Sequence, residues 1–160
     1  MLVNLFQYHQ WANKALIRTL EENEPHLSVE DSKLAARLLQ HIWVVEEIFW
    51  GNLLQIPHGY TALNLPDTPS MSVMAERLEE SVLRLLVYVE TLAPEVLMER
   101  VPFRFVDGTP GEMTRQGMLM HLIIHGAYHR GMIGRLLAGA GRLPPKDVLT
   151  LFLHPNNTTQ

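Results

Sequence analysis

Residues 118–137 read MLMHLIIHGAYHRGMIGRLL and carry histidines at three positions spaced by four, namely His121, His125 and His129. Residues four apart lie on one face of an α-helix, so the stretch predicts a long helix with a row of imidazoles along one side. Such a row is typical of a divalent-metal site. The alternative is a row of aromatic donors inside a helical bundle, each hydrogen-bonded to a backbone carbonyl.

One metal ion should bind two of these histidines. Side chains four residues apart diverge by about 40° around a helix, so the outer two of the three point about 80° apart. We choose His125 and His129, because Gly126 and Gly131 leave room beside them for another helix. Geometry decides this choice only in part. His121 then either supports a metal ligand without binding the metal itself or is a buried polar neighbour.

A further donor must come from another helix, because zinc and similar metals take three or four ligands. His41 is the best candidate, since it lies in the apolar stretch LLQHIWVVEEIFW (residues 38–50), where an unpaired imidazole is costly. The chain has no cysteine, which excludes thiolate ligands and disulfides. Nitrogen donors suit several metals, of which we favour Zn, with Ni or Fe as alternatives.

The other histidines and the nearby carboxylates receive no role at this point. Glu46 and Glu47 follow His41 by five and six residues, which turns them away from its helix face, so we expect them to be solvated. The remaining histidines lie in polar or loop contexts and are also expected to be solvated: His9, His26, His58 and His154.

Composition restricts the class of protein. The 160 residues are 47% hydrophobic and 19% charged, which fits one folded domain, expected over residues 1–155 with a flexible tail at 156–160. The formal net charge of −4 and the scattered basic residues argue against nucleic-acid binding. No stretch resembles a signal peptide or reaches the about 20 apolar residues of a membrane span. We therefore expect a cytoplasmic protein without membrane contact.

Hydrophobic periodicity predicts four long helices, and hence an all-α fold of the four-helix-bundle class. A short strand or hairpin is expected near residues 101–113, where Val, Phe and Phe alternate before an Asp-Gly pair. Proline-rich residues 56–69 form a long connection. The first two predicted helices cover residues 2–22 and residues 28–54, the second with Ser28 as N-cap. The third begins at Ser70 or Ser72 and is ended by Pro94, and the fourth runs from Thr114 to Gly139 or Gly141. A short C-terminal helix is predicted over residues 145–152.

Three segments in this order resemble the DinB family: YHQWANKAL (residues 8–16), LLQHIWVVEEIFW and HLIIHGAYHRG (residues 121–131). The resemblance implies a four-helix bundle with up-down-down-up connectivity. It also implies a divalent metal held by one histidine of the second helix and two of the last long helix, which here are His41, His125 and His129. Family members commonly have Gln where this chain has Met132, a change that affects packing or polarity near the site.

Two classes of function remain open. The first is a metalloenzyme acting on a small molecule, because some family members resemble thiol-dependent transferases that use bacillithiol or mycothiol. A low-molecular-weight thiol bound to the metal would then attack an electrophilic or xenobiotic substrate, and a metal-dependent hydrolase is the enzymatic alternative. The second class is a stress-related binding module in which the metal is structural or anchors a ligand. We also expect a homodimer, since exposed apolar stripes on helices commonly pair across a two-fold axis.

Overall fold

The computed structural model describes residues 1–154, which are mostly helical with one two-stranded hairpin. A short 3₁₀ turn, Glu24–His26, follows the first helix. The elements are α1 (Leu2–Asn23), α2 (Val29–Leu54), α3 (Met71–Thr91), α4 (Pro94–Leu97), β1 (Arg100–Arg104), β2 (Pro110–Thr114), α5 (Arg115–Gly139) and α6 (Leu149–Leu153).

Side-chain caps fix the starts of three long helices. The hydroxyl of Ser28 accepts a hydrogen bond from the backbone N–H of Asp31 at 3.0 Å, as the sequence predicts. Ser70, rather than Ser72, caps α3. Thr114 caps α5, which confirms the predicted start of the histidine-bearing helix. Each cap satisfies a backbone N–H that has no partner within the helix.

The four long helices pack around two apolar clusters, and each cluster contains residues of all four helices. Helix α1 contacts both α3 and α5. Helix α2 also contacts α3 and α5, and therefore lies side by side with α5. The largest side chains buried between the helices come from all four of them, among them Phe6, Leu39, Leu85 and Leu119. Full burial of such a side chain contributes about 1.5–3 kcal/mol. The up-down-down-up directions of the helices stay a prediction.

The hairpin between α4 and α5 confirms the expected insertion. Strands β1 and β2 pair in antiparallel register, with Val101 opposite Met113 and Phe103 opposite Gly111. Gly108 adopts φ 86°, a left-handed conformation that glycine accommodates in a tight turn. Val101 is buried against the core, which anchors the hairpin to the helices.

Helix α3 ends at Thr91, shortly before Pro94 as predicted, and Pro94 also occupies the first position of the short helix α4. One predicted boundary is wrong: the C-terminal helix begins at Leu149 and not at Pro145. Residues 142–148, between α5 and α6, form neither helix nor strand, and the Asp147 carboxylate pairs with Arg130 of α5. The predicted flexible tail at 156–160 lies outside the described residues.

A search of the described helices for a membrane-spanning segment found none of sufficient length and hydropathy.

Candidate metal centre

Three of the histidines singled out from the sequence meet between α2 and α5. His41 projects from α2, and His125 and His129 project from successive turns of α5. Each offers one ring nitrogen, and these nitrogens all lie within 4.8 Å of one another. The Nε2 atoms of His41 and His125 are 3.0 Å apart. We call these three residues the three-histidine group.

The rings of the group are arranged around one point rather than stacked in a row. The ring of His129 lies 4.6 Å from that of His41 and 4.4 Å from that of His125, between ring centroids, at angles of 79° and 65°. The ring of His125 lies 4.9 Å from that of His41. Two nitrogens that bind one ion at about 2.0–2.1 Å lie about 3–3.4 Å apart. The 3.0 Å between the Nε2 atoms of His41 and His125 matches the spacing that a shared ion requires.

The environment of His125 and His129 favours neutral imidazoles. All three rings are half-buried. Burial and the neighbouring histidines lower the pKa of His125 to about 3, and burial together with His41 lowers the pKa of His129. A neutral imidazole keeps a nitrogen lone pair available, which a metal ion requires and a proton would remove.

The hydrogen bonds that the group makes with the backbone leave ring nitrogens available as metal ligands. His41 Nδ1 lies 2.9 Å from the backbone carbonyl oxygen of Leu63, so in the neutral ring Nδ1 carries the proton and Nε2 keeps its lone pair. His129 Nδ1 is buried and, within residues 1–154, has no hydrogen-bond partner. A buried polar nitrogen without a partner is rare, because its desolvation is not repaid. The donor set and this unpaired nitrogen fit a divalent metal ion.

His121 lies next to the three-histidine group but is not part of it. Its ring stacks on Phe49 at 4.8 Å between centroids and lies 5.5 Å from the ring of His125. Burial lowers its pKa. Contact with both an apolar ring and His125 fits either of the roles expected from the sequence, a group that supports a metal ligand or a buried polar neighbour.

The two glycines expected to make room for another helix differ from each other. A Cβ atom on Gly126 would lie 2.2 Å from Cε1 of His9, so this glycine does admit a close neighbour, a histidine ring from α1. A Cβ atom on Gly131 would meet no atom of the described chain within 4 Å. The expectation for Gly131 is therefore wrong, because its side of α5 faces open space.

A second group of polar side chains lies in the core beside the three-histidine group. We call it the buried polar cluster; its members are His9, Asn13, Glu46, Arg130 and Asp147. His9 is fully buried, with Nε2 2.9 Å from Glu46 Oε1 and Nδ1 2.8 Å from Arg130 Nη1. Arg130 also donates to Asn13 at 3.0 Å and, through Nε, to Asp147 at 2.8 Å. These contacts join α1, α2, α5 and the segment before α6.

The cluster corrects two expectations. His9 and Glu46 are 0% and 1% exposed, not solvated, and inside the bundle His9 Nε2 pairs with Glu46 Oε1. Burial lowers the pKa of His9, while the Glu46 carboxylate opposes that shift and Arg130 adds to it. Glu47 is also largely shielded from solvent, through an ion pair with Arg84 on α3.

Helical spacing contains a signal for this cluster. On α1 the buried positions 2, 6, 9, 13, 16 and 20 follow one another by three or four residues, so His9 and Asn13 belong to the core stripe. Glu46 follows Ile42 by four residues in the corresponding stripe of α2, and Arg130 follows Gly126 by four in that of α5. Polar residues inside an apolar stripe predict a paired interior group.

Comparison with known proteins places the chain in a family. The sequence model of the DinB family matches residues 1–160. The chain belongs to the DinB family. One curated member, Protein DinB of Bacillus subtilis (strain 168), is 25% identical over 165 residues, an alignment that covers 96% of this chain and 94% of that protein. No solved structure matches the chain.

Proposed function

We propose that His41, His125 and His129 hold one divalent metal ion, with Zn favoured and Ni or Fe as alternatives. The observation that carries this proposal is the convergence of three ring nitrogens, one per histidine, within 4.8 Å of one another. The buried Nδ1 of His129, which has no hydrogen-bond partner among the described residues, supports it, because a bound ion at the group would compensate for burying three polar rings.

The donor set favours a catalytic role for the ion over a structural one. Structural zinc sites usually have four protein ligands, whereas three protein ligands leave a position for water or substrate. Three neutral imidazoles also leave the charge of the ion uncompensated. When bound there, the ion would lower the pKa of a coordinated thiol or water molecule.

We propose that the reaction is transfer of a low-molecular-weight thiol, such as bacillithiol or mycothiol, to a small electrophilic or xenobiotic substrate. The thiol sulfur forms a bond to the electrophilic carbon, the leaving group departs with the bonding electrons, and the thiol proton is released to solvent. The chain contains no cysteine, so the sulfur must come from a separate molecule. Similarity of some family members to thiol-dependent transferases supports this choice.

The protein's own residues prepare the site in two ways. Low pKa values keep His125 and His129 neutral, so protons do not compete for their nitrogens at neutral pH. The Leu63 carbonyl holds the proton of His41 on Nδ1, which directs Nε2 towards His125. Both effects favour ligation before any substrate binds.

The alternatives are a metal-dependent hydrolase and a non-enzymatic binding module. A kinetic assay on zinc-loaded protein separates them. A small thiol and 1-chloro-2,4-dinitrobenzene are supplied together, thioether formation is followed by absorbance, and p-nitrophenyl acetate is tested in parallel. Thiol transfer predicts thioether formation above background in the parent and in H26A, where His26 is an exposed control, and its loss in H129A. Ester cleavage alone would indicate a hydrolase, and activity in neither assay would favour a binding module.

We also propose that the protein is a homodimer that acts in the cytoplasm. Support for the dimer comes from an exposed apolar stripe on α5, where Ile124, Tyr128 and Met132 follow one another by four residues. Light scattering coupled to size exclusion would give the mass directly, and a mass of one chain of 18.3 kDa would contradict the proposal.

A further inference from the structure

We propose that Gln40 is a positioning residue for the metal ligand His41, acting through the loop between α2 and α3. This inference rests on the proposed metal site and adds a residue outside the three-histidine group. Gln40 is 0% exposed, although glutamine is a residue that proteins seldom bury completely. Its burial therefore requires compensating contacts, and all of those identified lead to one segment, residues 64–67.

The Gln40 amide clamps this segment through both of its polar atoms. Oε1 accepts hydrogen bonds from the backbone N–H of Leu65 at 3.1 Å and from the Asn64 side chain at 3.1 Å. Nε2 donates to the backbone carbonyl of Asp67 at 2.6 Å. Because an N–H can only donate and a carbonyl can only accept, these partners fix the orientation of the amide.

Asn64 strengthens the clamp. The same side-chain amide that donates to Gln40 also donates to the backbone carbonyl of Arg37 at 3.0 Å, one turn earlier on α2. The loop is thus attached to α2 at two successive turns. Without such contacts, a proline-rich loop of this length would sample many conformations.

The residue directly before the clamped segment contacts the candidate ligand. The carbonyl oxygen of Leu63 accepts a hydrogen bond from His41 Nδ1 at 2.9 Å, and His41 directly follows Gln40 on α2. Two adjacent residues of α2, Gln40 and His41, therefore contact two adjacent residues of the loop, Asn64 and Leu63. The clamp fixes the Leu63 carbonyl, and that carbonyl fixes both the ring orientation and the tautomer of His41, which places the lone pair on Nε2.

The test compares Q40M and N64A with the parent and with Q10M. Methionine matches the length of glutamine without its hydrogen bonds, and N64A covers the case in which Q40M does not fold. Gln10 is a suitable control because its half-buried amide bonds to Glu79 between α1 and α3, away from the loop. Circular dichroism verifies folding. The His41 tautomer is read from the NMR chemical shifts of its ring nitrogens in metal-free protein. The zinc dissociation constant is measured by competition with a chelator.

We expect Q40M to lose the single Nδ1–H tautomer of His41 and to bind zinc about 10-fold or more weakly than the parent. N64A should shift both readouts in the same direction by less, and Q10M should match the parent. An unchanged tautomer and zinc affinity in Q40M and N64A would overturn the inference. If the parent binds no zinc, the proposed metal site fails, and the tautomer alone then decides whether Gln40 positions His41.

Discussion

The Nε2 atoms of His41 and His125 lie 3.0 Å apart, although the two residues are 84 positions apart in the chain. The contact forms only when α2 and α5 pack side by side. A metal ion at the three-histidine group would therefore bind the folded chain more tightly than the unfolded one, and its binding would add to the free energy of unfolding.

Zinc should raise the thermal unfolding midpoint of the parent. At a free concentration 100 times the dissociation constant, binding to one site adds about 2.7 kcal/mol to the free energy of unfolding. Differential scanning fluorimetry with and without zinc measures the effect, and H125A should lose most of it. An equal rise in parent and H125A would show that zinc binds elsewhere.

Substitution of Gly126 by alanine should destabilise the protein by about 1–3 kcal/mol, the usual cost of overpacking. The new Cβ would lie 2.2 Å from His9 Cε1, and contacts with Glu46 and Arg130 prevent the His9 ring from moving aside. Gly131→Ala is the matched control, since its Cβ meets open space among the described residues and should add up to about 1 kcal/mol through helix propensity. Urea denaturation measures both. Equal stability of the two variants would contradict the close packing at Gly126.

Replacement of Arg130 by methionine should cost about 3–5 kcal/mol, the range found when one partner of a buried ion pair is removed. The change leaves His9, Asn13 and Asp147 without their shared donor. Arg135→Met, on an exposed position of the same helix, should stay within about 0.5 kcal/mol of the parent. Denaturant unfolding of both variants decides the matter, and a mild effect at Arg130 would mean that the cluster contributes little.

Metal-free protein should become less stable as the pH falls from 7.5 to 5. Four histidines have pKa values lowered by burial in the folded state: His9, His121, His125 and His129. Below the unfolded value of about 6.5, the unfolded chain takes up protons that the folded chain does not, and each such histidine contributes up to about 1.4 kcal/mol per pH unit. This loss continues until the pH reaches the folded pKa, which for His125 is about 3.

The pH prediction is checked by urea midpoints across this range in the parent and in two variants. H125N should show a shallower dependence on pH, because it removes one of the four groups. H26N, at an exposed position of the turn after α1, should keep the slope of the parent. Stability that rises on acidification, or an unchanged slope in H125N, would contradict the account.

Local signals in the sequence were sufficient for much of the fold. Ser28 and Thr114 predict the starts of α2 and α5, because a side-chain cap depends on residues only three positions away. The Asp-Gly pair at 107–108 predicts the hairpin turn for the same reason. The late start of α6 was missed, since the pairing of Asp147 with Arg130 is a contact between distant residues.

The same difference between local signals and contacts of distant residues applies to the candidate site. Spacing by four indicated the row His121, His125 and His129, and the family resemblance supported the choice of the last two. The burial cost of an imidazole indicated His41, which the structure brings together with that pair. The loop contacts of Gln40 could not be predicted, because a 15-residue connection such as 55–69 contains no pattern that fixes where it folds back. The burial of His9 and Glu46 was not predicted, because polar side chains favour solvent, although their helical spacing places both residues in the core stripes.

The most direct test of the metal site is elemental analysis of protein purified without an affinity tag. The parent should contain about one equivalent of a divalent metal per chain, as expected for one group of three imidazoles. A double variant, His41→Ala with His125→Ala, should contain almost none while remaining folded by circular dichroism. Absence of metal from the parent, even after reconstitution with zinc or nickel, would contradict the central claim and leave the three histidines as a structural feature of the core.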